Sequence, residues 1–435
     1  MKPRHLAVGL LALLAPALPA CMRDPPPDTP DKVTRGRGDP GAVTITRSRD
    51  PAFDDGVLDQ ILLTKEREFA KVMVDPNGYR LQILYTEVKK EGKSQRLHRH
   101  GFRVDAEYFY PASAIKPALA VGALEALHDP ARVGKRKIDF YTPIRVRDMG
   151  PPQKVEETDA TETLTGRISI GHEIKKMLLV SDNQSYNRLY NFLGQKDANQ
   201  RMWRLGLSSV RLRHRLVTVS PNEDGAYTPP TEFLGDPPLT IPEQRSELTW
   251  DPLDAPGTSV GTAHVGPMGQ RVNEPMSFAE KNRISLVDLQ DLLIKIVRPD
   301  LLTGAPLPQI DSKDKDFLAN ALGTLPSLSK NPSFEGGAAL DELHKPLLAG
   351  INRVLPASKV FVFSKAGRAY GFSIDNAYVL DPKGRRSFFL SAVMFTDSGT
   401  VGDDRYPYSE VAVPFFAHLG EAVTRHAFEM DGRKR

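Results

Sequence analysis

Ser113-Ala114-Ile115-Lys116 places a hydroxyl and an amine three residues apart at the start of an apolar stretch. Side chains at positions i and i+3 of a helix share one face, so the amine lies where it can take the serine proton. A serine hydroxyl is a poor nucleophile at its ordinary pKa, whereas a lysine shielded from water and close to other cations is neutral enough to act as a base. The pair therefore indicates nucleophilic catalysis by Ser113.

Two further segments offer side chains that suit such chemistry. Ser181-Asp182-Asn183 connects two predicted helices, which would present a second hydroxyl and an amide to a cleft. Lys365-Ala366-Gly367 is predicted to end a strand, and it supplies a cation beside a residue without a Cβ, where a substrate can lie against backbone. Similar spacings recur at 327–330, 220–222 and 90–92, so only the predicted structural context separates the three segments from chance matches.

The elements that must position these residues follow from hydrophobic periodicity. Two runs, 79–88 and 96–104, flank a polar turn and predict a hairpin, and the apolar run 112–128 predicts a helix buried on every side. Further helices are predicted at 170–180, 184–193, 285–297 and 411–426, and strands at 360–364, 371–380 and 387–395. The Pro-rich passage 221–275 has little periodicity and is interpreted as a surface loop insertion.

In this order the three segments resemble the S-x-x-K, S-D-N and K-T-G signature of class A β-lactamases and penicillin-binding proteins. The neighbouring sequences YPAS at 110–113, MLLVSDN at 177–183 and AYGF at 369–372 reinforce the resemblance, which covers residues 80–426. It implies an α/β (α+β) fold, in which an antiparallel sheet is flanked by helices and joined to a mainly helical subdomain.

The resemblance also implies a role for each matching residue. Ser113 would be the acylated nucleophile, Lys116 its general base or proton relay, Ser181 a proton shuttle to the lactam nitrogen, Asn183 a partner of Lys116 or of substrate, and Lys365 a stabiliser of negative charge. The backbone N–H groups of Ser113 and Arg368 would form the oxyanion hole, and Gly367 and Arg368 would contact the substrate.

The sequence departs from the family pattern at two points. Ala366 stands where the family usually has a threonine or serine, so a hydroxyl for the substrate carboxylate is missing, and the guanidinium of Arg368 could replace it. Class A enzymes also carry an E-x-x-L-N omega loop, whose glutamate activates the deacylating water, and no such segment follows Asn183. Glu223 and Glu232 lie in the right part of the chain, each as a deacylation base or a solvated loop carboxylate.

Three functions remain open on this basis. The first is an envelope-anchored serine hydrolase or acyltransferase that acts on a β-lactam or a related amide or ester. The second is a penicillin-binding D-Ala-D-Ala peptidase that acts on cell-wall peptides. The third is a non-catalytic binding or scaffolding lipoprotein, which the missing glutamate and Ala366 favour.

Composition limits the other classes of function. A net charge of +4 over 435 residues gives nucleic-acid binding no support, and a single cysteine excludes an intramolecular disulfide and any multi-cysteine metal site. His98 and His100 could share a sheet face as metal ligands, but the interleaved Arg96 and Arg99 favour a solvated basic strand. No cofactor and no metal are expected.

The N-terminus resembles that of a bacterial lipoprotein. A charged start precedes an apolar run that is too short to span a bilayer and ends at Ala20, so residues 1–20 are predicted to be a signal peptide. Leu18-Pro19-Ala20-Cys21 resembles a lipobox, although Cys21 could also be an incidental thiol behind an ordinary signal. We expect a lipidated Cys21, a Pro-rich tether over 21–60, a hydrolase domain over 61–430, and attachment to the bacterial cell envelope, facing the periplasm or the exterior.

The lipobox and the tether predict that the mature chain begins at a lipid-modified Cys21. Mass spectrometry of the mature N-terminal peptide measures this directly, because the lipid adds mass to that residue alone. An unmodified N-terminal residue other than Cys21 would contradict the prediction.

Overall fold

The computed structural model of the chain describes residues 53, 55–147, 154–216, 224–250, 256–383 and 385–429. All of them belong to one compact unit, Ile45–Arg435. The predicted signal peptide, Cys21 and Glu223 lie outside the described residues. None of the described helices is long and apolar enough to cross a membrane.

The described helices are α1 (Val57–Leu63), α2 (Glu66–Met73), α3 (Lys116–Leu127), α4 (Pro130–Val133), α5 (Ile170–Leu179), α6 (Asn183–Leu193), α7 (Gln195–Arg204), α8 (Leu286–Val297), α9 (Ser312–Gly323), α10 (Gly337–His344), α11 (Leu348–Val354) and α12 (Val413–Glu429). The described strands are β1 (Gln82–Glu91), β2 (Ser94–Phe102), β3 (Ile144–Arg147), β4 (Val155–Glu156), β5 (Tyr227–Thr228), β6 (Thr231–Phe233), β7 (Leu239–Ile241), β8 (Gln244–Arg245), β9 (Ser259–Val260), β10 (His264–Val265), β11 (Arg271–Val272), β12 (Met276–Ser277), β13 (Phe361–Ala369), β14 (Phe372–Leu380) and β15 (Ser387–Phe395).

A five-stranded antiparallel sheet in the order β13-β14-β15-β1-β2 divides the core into two layers. Successive side chains of a strand point to opposite faces. Along β15, Phe389 and Val393 therefore pack with α3, α5, α6 and α8, while Phe388 and Leu390 pack with α1, α2, α11 and α12. Both faces are covered by helices, which confirms the predicted antiparallel sheet flanked by helices.

Helix α3 forms the centre of the larger layer. All of its residues are buried, as the apolar run predicted, and Pro117 stands in the first turn, where a missing backbone N–H costs nothing. A 3₁₀ turn, Ala112–Ile115, precedes it. The predicted hairpin is also present, with a tighter turn than expected because its strands extend to Glu91 and from Ser94.

Three expectations about boundaries were wrong. Strand β13 does not end at Ser364 but runs to Ala369, so Lys365 lies in the middle of the strand. The passage 221–275 is not a plain surface loop, because β6 pairs with β3 and Phe233 is fully buried. Helix α1 buries Leu58, so residues 57–60 belong to the folded body and not to the tether predicted over 21–60.

Candidate active site

Ser113 lies in the 3₁₀ turn that leads into α3, at the edge of the buried layer. Its neighbours Ala112 and Ala114 are buried, whereas Ser113 is only half-buried. Ala112 has a φ of 46°, which an L-residue rarely adopts and which a well-packed surrounding must hold in place. The turn therefore presents Ser113 at the boundary between the core and solvent.

The backbone of β13 lies directly against this turn. A Cβ built on Gly367 would stand 2.5 Å from the carbonyl oxygen of Pro111 and 2.9 Å from the backbone nitrogen of Ser113, so only glycine fits there. Strand β13 is an edge strand of the sheet. One of its edges pairs with β14, and the other edge pairs with no described strand of this sheet. This close approach suits the predicted oxyanion hole, since Arg368 N–H is the next backbone donor along the strand.

Ser181 occupies the connection between α5 and α6, as predicted. It has a φ of 60°, and Asp182 caps α6 by accepting a hydrogen bond of 2.7 Å from Ser185 N–H. The cap fixes the loop at the start of the helix, so that Ser181 and Asn183 are held on a rigid element.

Lys116 and Lys365 both reach this loop. Lys116 Nζ donates to Ser181 O at 2.5 Å, to Asn183 Oδ1 at 2.8 Å, to Asp182 O at 3.2 Å and to Ser181 Oγ at 3.3 Å. Lys365 Nζ donates to Ser181 Oγ at 2.9 Å. The Ser181 hydroxyl thus connects the two amines, and the structure brings all three predicted segments together.

One expected contact is not formed. Among the described residues no hydrogen bond joins Lys116 Nζ to Ser113 Oγ, because the donors of Lys116 are directed to the 181–183 loop. Catalytic hydrogen bonds are often long or poorly aligned before substrate binds. Proton transfer from Ser113 therefore requires the amine of Lys116 to turn from the loop.

Burial sets the charge of both amines. The side chain of Lys116 is fully buried, and desolvation, assisted by the positive charge of Lys365, lowers its pKa well below 10.5. Desolvation also lowers the pKa of Lys365 to about 7, against the opposing effect of Asp375. Near neutral pH the pair can therefore hold one neutral amine and one ammonium.

Lys345 and Asp375 form a second buried group behind Lys365, and the sequence analysis missed both. Lys345 Nζ donates to Leu322 O at 2.6 Å and to Ser364 Oγ at 3.3 Å, next to Lys365. Asp375 lies opposite Ala366 in the β13–β14 ladder, and burial raises its pKa to about 6. Asp375 is the only charged residue of β14, and this was the available signal in the sequence.

The surroundings of the site are cationic. The guanidinium of Arg368 lies 5.0 Å from the ring centroid of Tyr408, and no ion pair with a carboxylate is formed by Arg368 within the described part of the chain. The pKa of His344 is lowered to about 4 by burial and then by the charges of Lys365 and Lys116, so this imidazole is neutral at pH 7. An anionic substrate group suits such a site.

Glu232, one of the two candidate deacylation bases, is paired with two arginines. Glu232 lies on β6, where its oxygens are 2.7 Å from Arg145 Nη1 and 3.5 Å from Arg147 Nη2, so both are paired. Of the described carboxylates, none hydrogen-bonds to Ser113, Lys116, Ser181 or Lys365. Glu223 falls on a segment outside the described residues.

Possible metal ligands gather elsewhere. His98 lies 2.7 Å from Glu91 Oε1, and His100 Nδ1 lies 2.7 Å from Asp55 Oδ2, so these two histidines pair with carboxylates instead of converging on one point. Within the described residues, three potential ligands come together at His128, Asp311 and Asp314, and again at Asp159, His172 and Glu173.

Comparison with solved structures finds similar chains at low identity. A beta-lactamase from Burkholderia vietnamiensis is 15% identical with a TM-score of 0.46, and the match covers 84% of this chain and 97% of that one. A class A beta-lactamase from Mycobacterium abscessus is 16% identical with a TM-score of 0.44, covering 85% and 98%. A mutant of PBP-A, solved as its acyl-enzyme complex with penicillin G, is 14% identical with a TM-score of 0.45, covering 85% and 96%.

No curated protein matches the sequence. A family model does: the model described as the beta-lactamase enzyme family matches residues 67–305, more than half of the chain. The matched range contains the Ser113, Lys116 and Ser181 segments that meet in the structure and ends before Lys365. The chain belongs to the beta-lactamase enzyme family.

Proposed function

We propose that this protein is a serine hydrolase that forms an acyl-enzyme on Ser113 with a β-lactam or a related amide or ester. The observation that carries the proposal is the Ser181 hydroxyl, which accepts hydrogen bonds from both Lys116 and Lys365 beside the Ser113 turn. Membership of the beta-lactamase family supports the same class of reaction.

In the proposed reaction Ser113 Oγ attacks the carbonyl carbon while a neutral Lys116 takes its proton. The carbonyl oxygen becomes negative, and the N–H groups of Ser113 and Arg368 stabilise it, each donor contributing about 3 to 4 kcal/mol. The C–N bond then breaks. The proton passes from Lys116 through Ser181 Oγ to the leaving nitrogen, while the Lys365 ammonium stabilises the negative charge beside it.

The substrate is proposed to carry a carboxylate near the reacting bond. Ala366 cannot supply the hydroxyl that the family uses for this group, but Arg368 lies three residues beyond Lys365 and forms no carboxylate ion pair with the described residues. A guanidinium can bind a carboxylate through two parallel hydrogen bonds. Arg368 would thus take over the missing contact.

Release of the acyl group is proposed to be slow. Neither oxygen of Glu232 is free, and the described residues place no other carboxylate on the catalytic side chains. General-base assistance is worth roughly 10²- to 10⁴-fold, so its loss would prolong the acyl-enzyme. A persistent acyl-enzyme is the property of a penicillin-binding peptidase, which is therefore our second candidate. A binding lipoprotein without turnover is the third.

We also propose that the chain acts at the bacterial cell envelope, anchored by a lipid on Cys21. The support is the lipobox-like sequence before Cys21, which lies outside the described residues. The substrates expected there are β-lactams and cell-wall peptides.

Ser113 and Lys116 are predicted to act on one step. Ser113→Ala and Lys116→Ala should each abolish labelling by a fluorescent penicillin, and the double variant should be no worse, because groups that act together show non-additive losses. Labelling followed on a gel measures this. Lys330→Ala, in the unrelated S-x-x-K at 327–330, is the matched control and should label normally. Near-normal labelling of Lys116→Ala would refute the role of this lysine as base.

The two lysines predict a bell-shaped pH profile for acylation. Lys116 must be neutral, so the rate rises with pH through a pKa well below 10.5, and Lys365 must be charged, so the rate falls above a pKa of about 7. In Lys365→Met the alkaline limb should disappear. The acid limb should move to higher pH, because the charge that lowers the pKa of Lys116 is gone. An alkaline limb near pH 7 that persists in Lys365→Met would contradict the assignment.

Deacylation is predicted to limit turnover. A chromogenic cephalosporin should give a burst of about one product per enzyme followed by a slow steady state. Stopped-flow absorbance measures both phases. Fast hydrolysis without a burst would contradict the prediction. If Glu223→Gln or Glu232→Gln then abolished that fast hydrolysis, the substituted glutamate would be the deacylation base.

A further inference from the structure

A second cluster of chemically active side chains lies behind the 181–183 loop. One ligand atom from each of Asp159, His172 and Glu173 lies within 4.8 Å of the other two. The side chains of these residues are 12%, 2% and 0% exposed. The cluster is therefore enclosed by protein, unlike the other group of three ligands, in which His128 and Asp311 are exposed.

The cluster contains buried polar atoms without hydrogen-bond partners. Within the described residues, His172 Nδ1, His172 Nε2 and Glu173 Oε2 are buried and form no hydrogen bond. Buried polar atoms in native proteins nearly always have a partner, and an ion is one of the few things that satisfies several of them at once. His172 Nε2 lies 3.5 Å from Asp159 Oδ2 without forming a hydrogen bond, so this imidazole and the free oxygen of Glu173 suit such an occupant.

We propose that Asp159, His172 and Glu173 bind a zinc ion. One imidazole nitrogen and two carboxylate oxygens are ligands that zinc accepts, with water as the fourth. His172 Nε2 and Asp159 Oδ2 are 3.5 Å apart. Zinc bonds of about 2.0 to 2.1 Å place tetrahedral ligands about 3.3 Å from one another, so this pair needs little movement.

Two cations lie beside the cluster and must be accommodated. Arg188 Nη1 lies 3.3 Å from Glu173 Oε1 and leaves Oε2 free. Lys176 Nζ lies 2.6 Å from Asp159 Oδ2, the oxygen that faces His172, so the ammonium competes with the metal. Lys176 has a second carboxylate in reach, since Asp182 Oδ2 is 3.9 Å away. Zinc would displace Lys176 from Asp159 towards Asp182.

This displacement links the cluster to the catalytic loop. Asp182 follows Ser181 and caps α6, so a firmer pair with Lys176 would hold the loop that both catalytic lysines contact. The zinc would be a structural ion that steadies the loop and touches no substrate. Zinc binding does not depend on the proposed function, and the experiment measures it without activity.

The metal-free full chain is titrated with zinc chloride, and isothermal calorimetry measures the binding. A second titration uses cobalt(II), and visible absorption measures its binding. We expect one zinc per chain and the intense visible bands of tetrahedral cobalt. His172→Ala and Glu173→Gln should each weaken zinc binding by at least about 10-fold, a loss typical of disturbed metal sites. Lys176→Met should instead tighten it, because the competing ammonium is removed. His128→Ala is the matched control and should bind like the parent chain.

Failure of the parent chain to bind zinc would overturn the proposal, and so would unchanged affinity in Lys176→Met. Loss of binding in His128→Ala would move the ion to the exposed cluster and would also overturn it. The Lys176→Met arm stays informative if the His172 variant does not fold, since Lys176 is partly exposed at the edge of the cluster.

Discussion

The Ser181 hydroxyl is the point on which the site depends, because two buried lysines meet there. Removing an ammonium from water is expensive, and two ammonium groups at one oxygen also repel each other. The cost falls if one of the two amines is neutral. The burial of both side chains therefore explains why the pKa of Lys116 is lowered. The packing alone thus lowers the pKa of Lys116 well below its ordinary value, with desolvation as the main cause and the charge of Lys365 as the second.

The rest of the fold holds the amines of Lys116 and Lys365 at the Ser181 hydroxyl. Helix α3 is buried on every side, so Lys116 at its first turn cannot swing into solvent. The edge strand β13 carries Lys365, whose amine donates to the same hydroxyl, and Gly367 lets the strand touch the Ser113 turn. Lys345 and Asp375 also lie close to Lys365, and their charges act on its pKa in opposite directions. Burial is the largest influence and lowers this pKa.

The sequence predicted the elements that have strong local patterns. It did not predict the elements and boundaries that depend on pairing with residues distant in the chain. The all-apolar run of α3 and the polar Ser181-Asp182-Asn183 break between two helices predicted their elements correctly. The extent of β13 was missed because Lys365 and Gly367 interrupt its apolar pattern, and only pairing with β14 keeps them in the strand. Helices α1, α2, α4, α7, α9, α10 and α11 were not predicted, and α10 carries an exposed leucine, Leu343, which weakens its apolar face.

The same limit explains the candidate bases. Glu232 was selected because it follows the Ser181 segment at a suitable distance in the chain, but its place is decided by pairing across a sheet. Arg145 is its direct neighbour in the β3–β6 ladder, and the ion pair there ties β6 to β3. The described residues around Glu232 form β6, which pairs with β3 and β7 in a small sheet. The carboxylate of Glu232 is therefore paired within that sheet, and among the described residues no carboxylate hydrogen-bonds to Ser113, Lys116, Ser181 or Lys365.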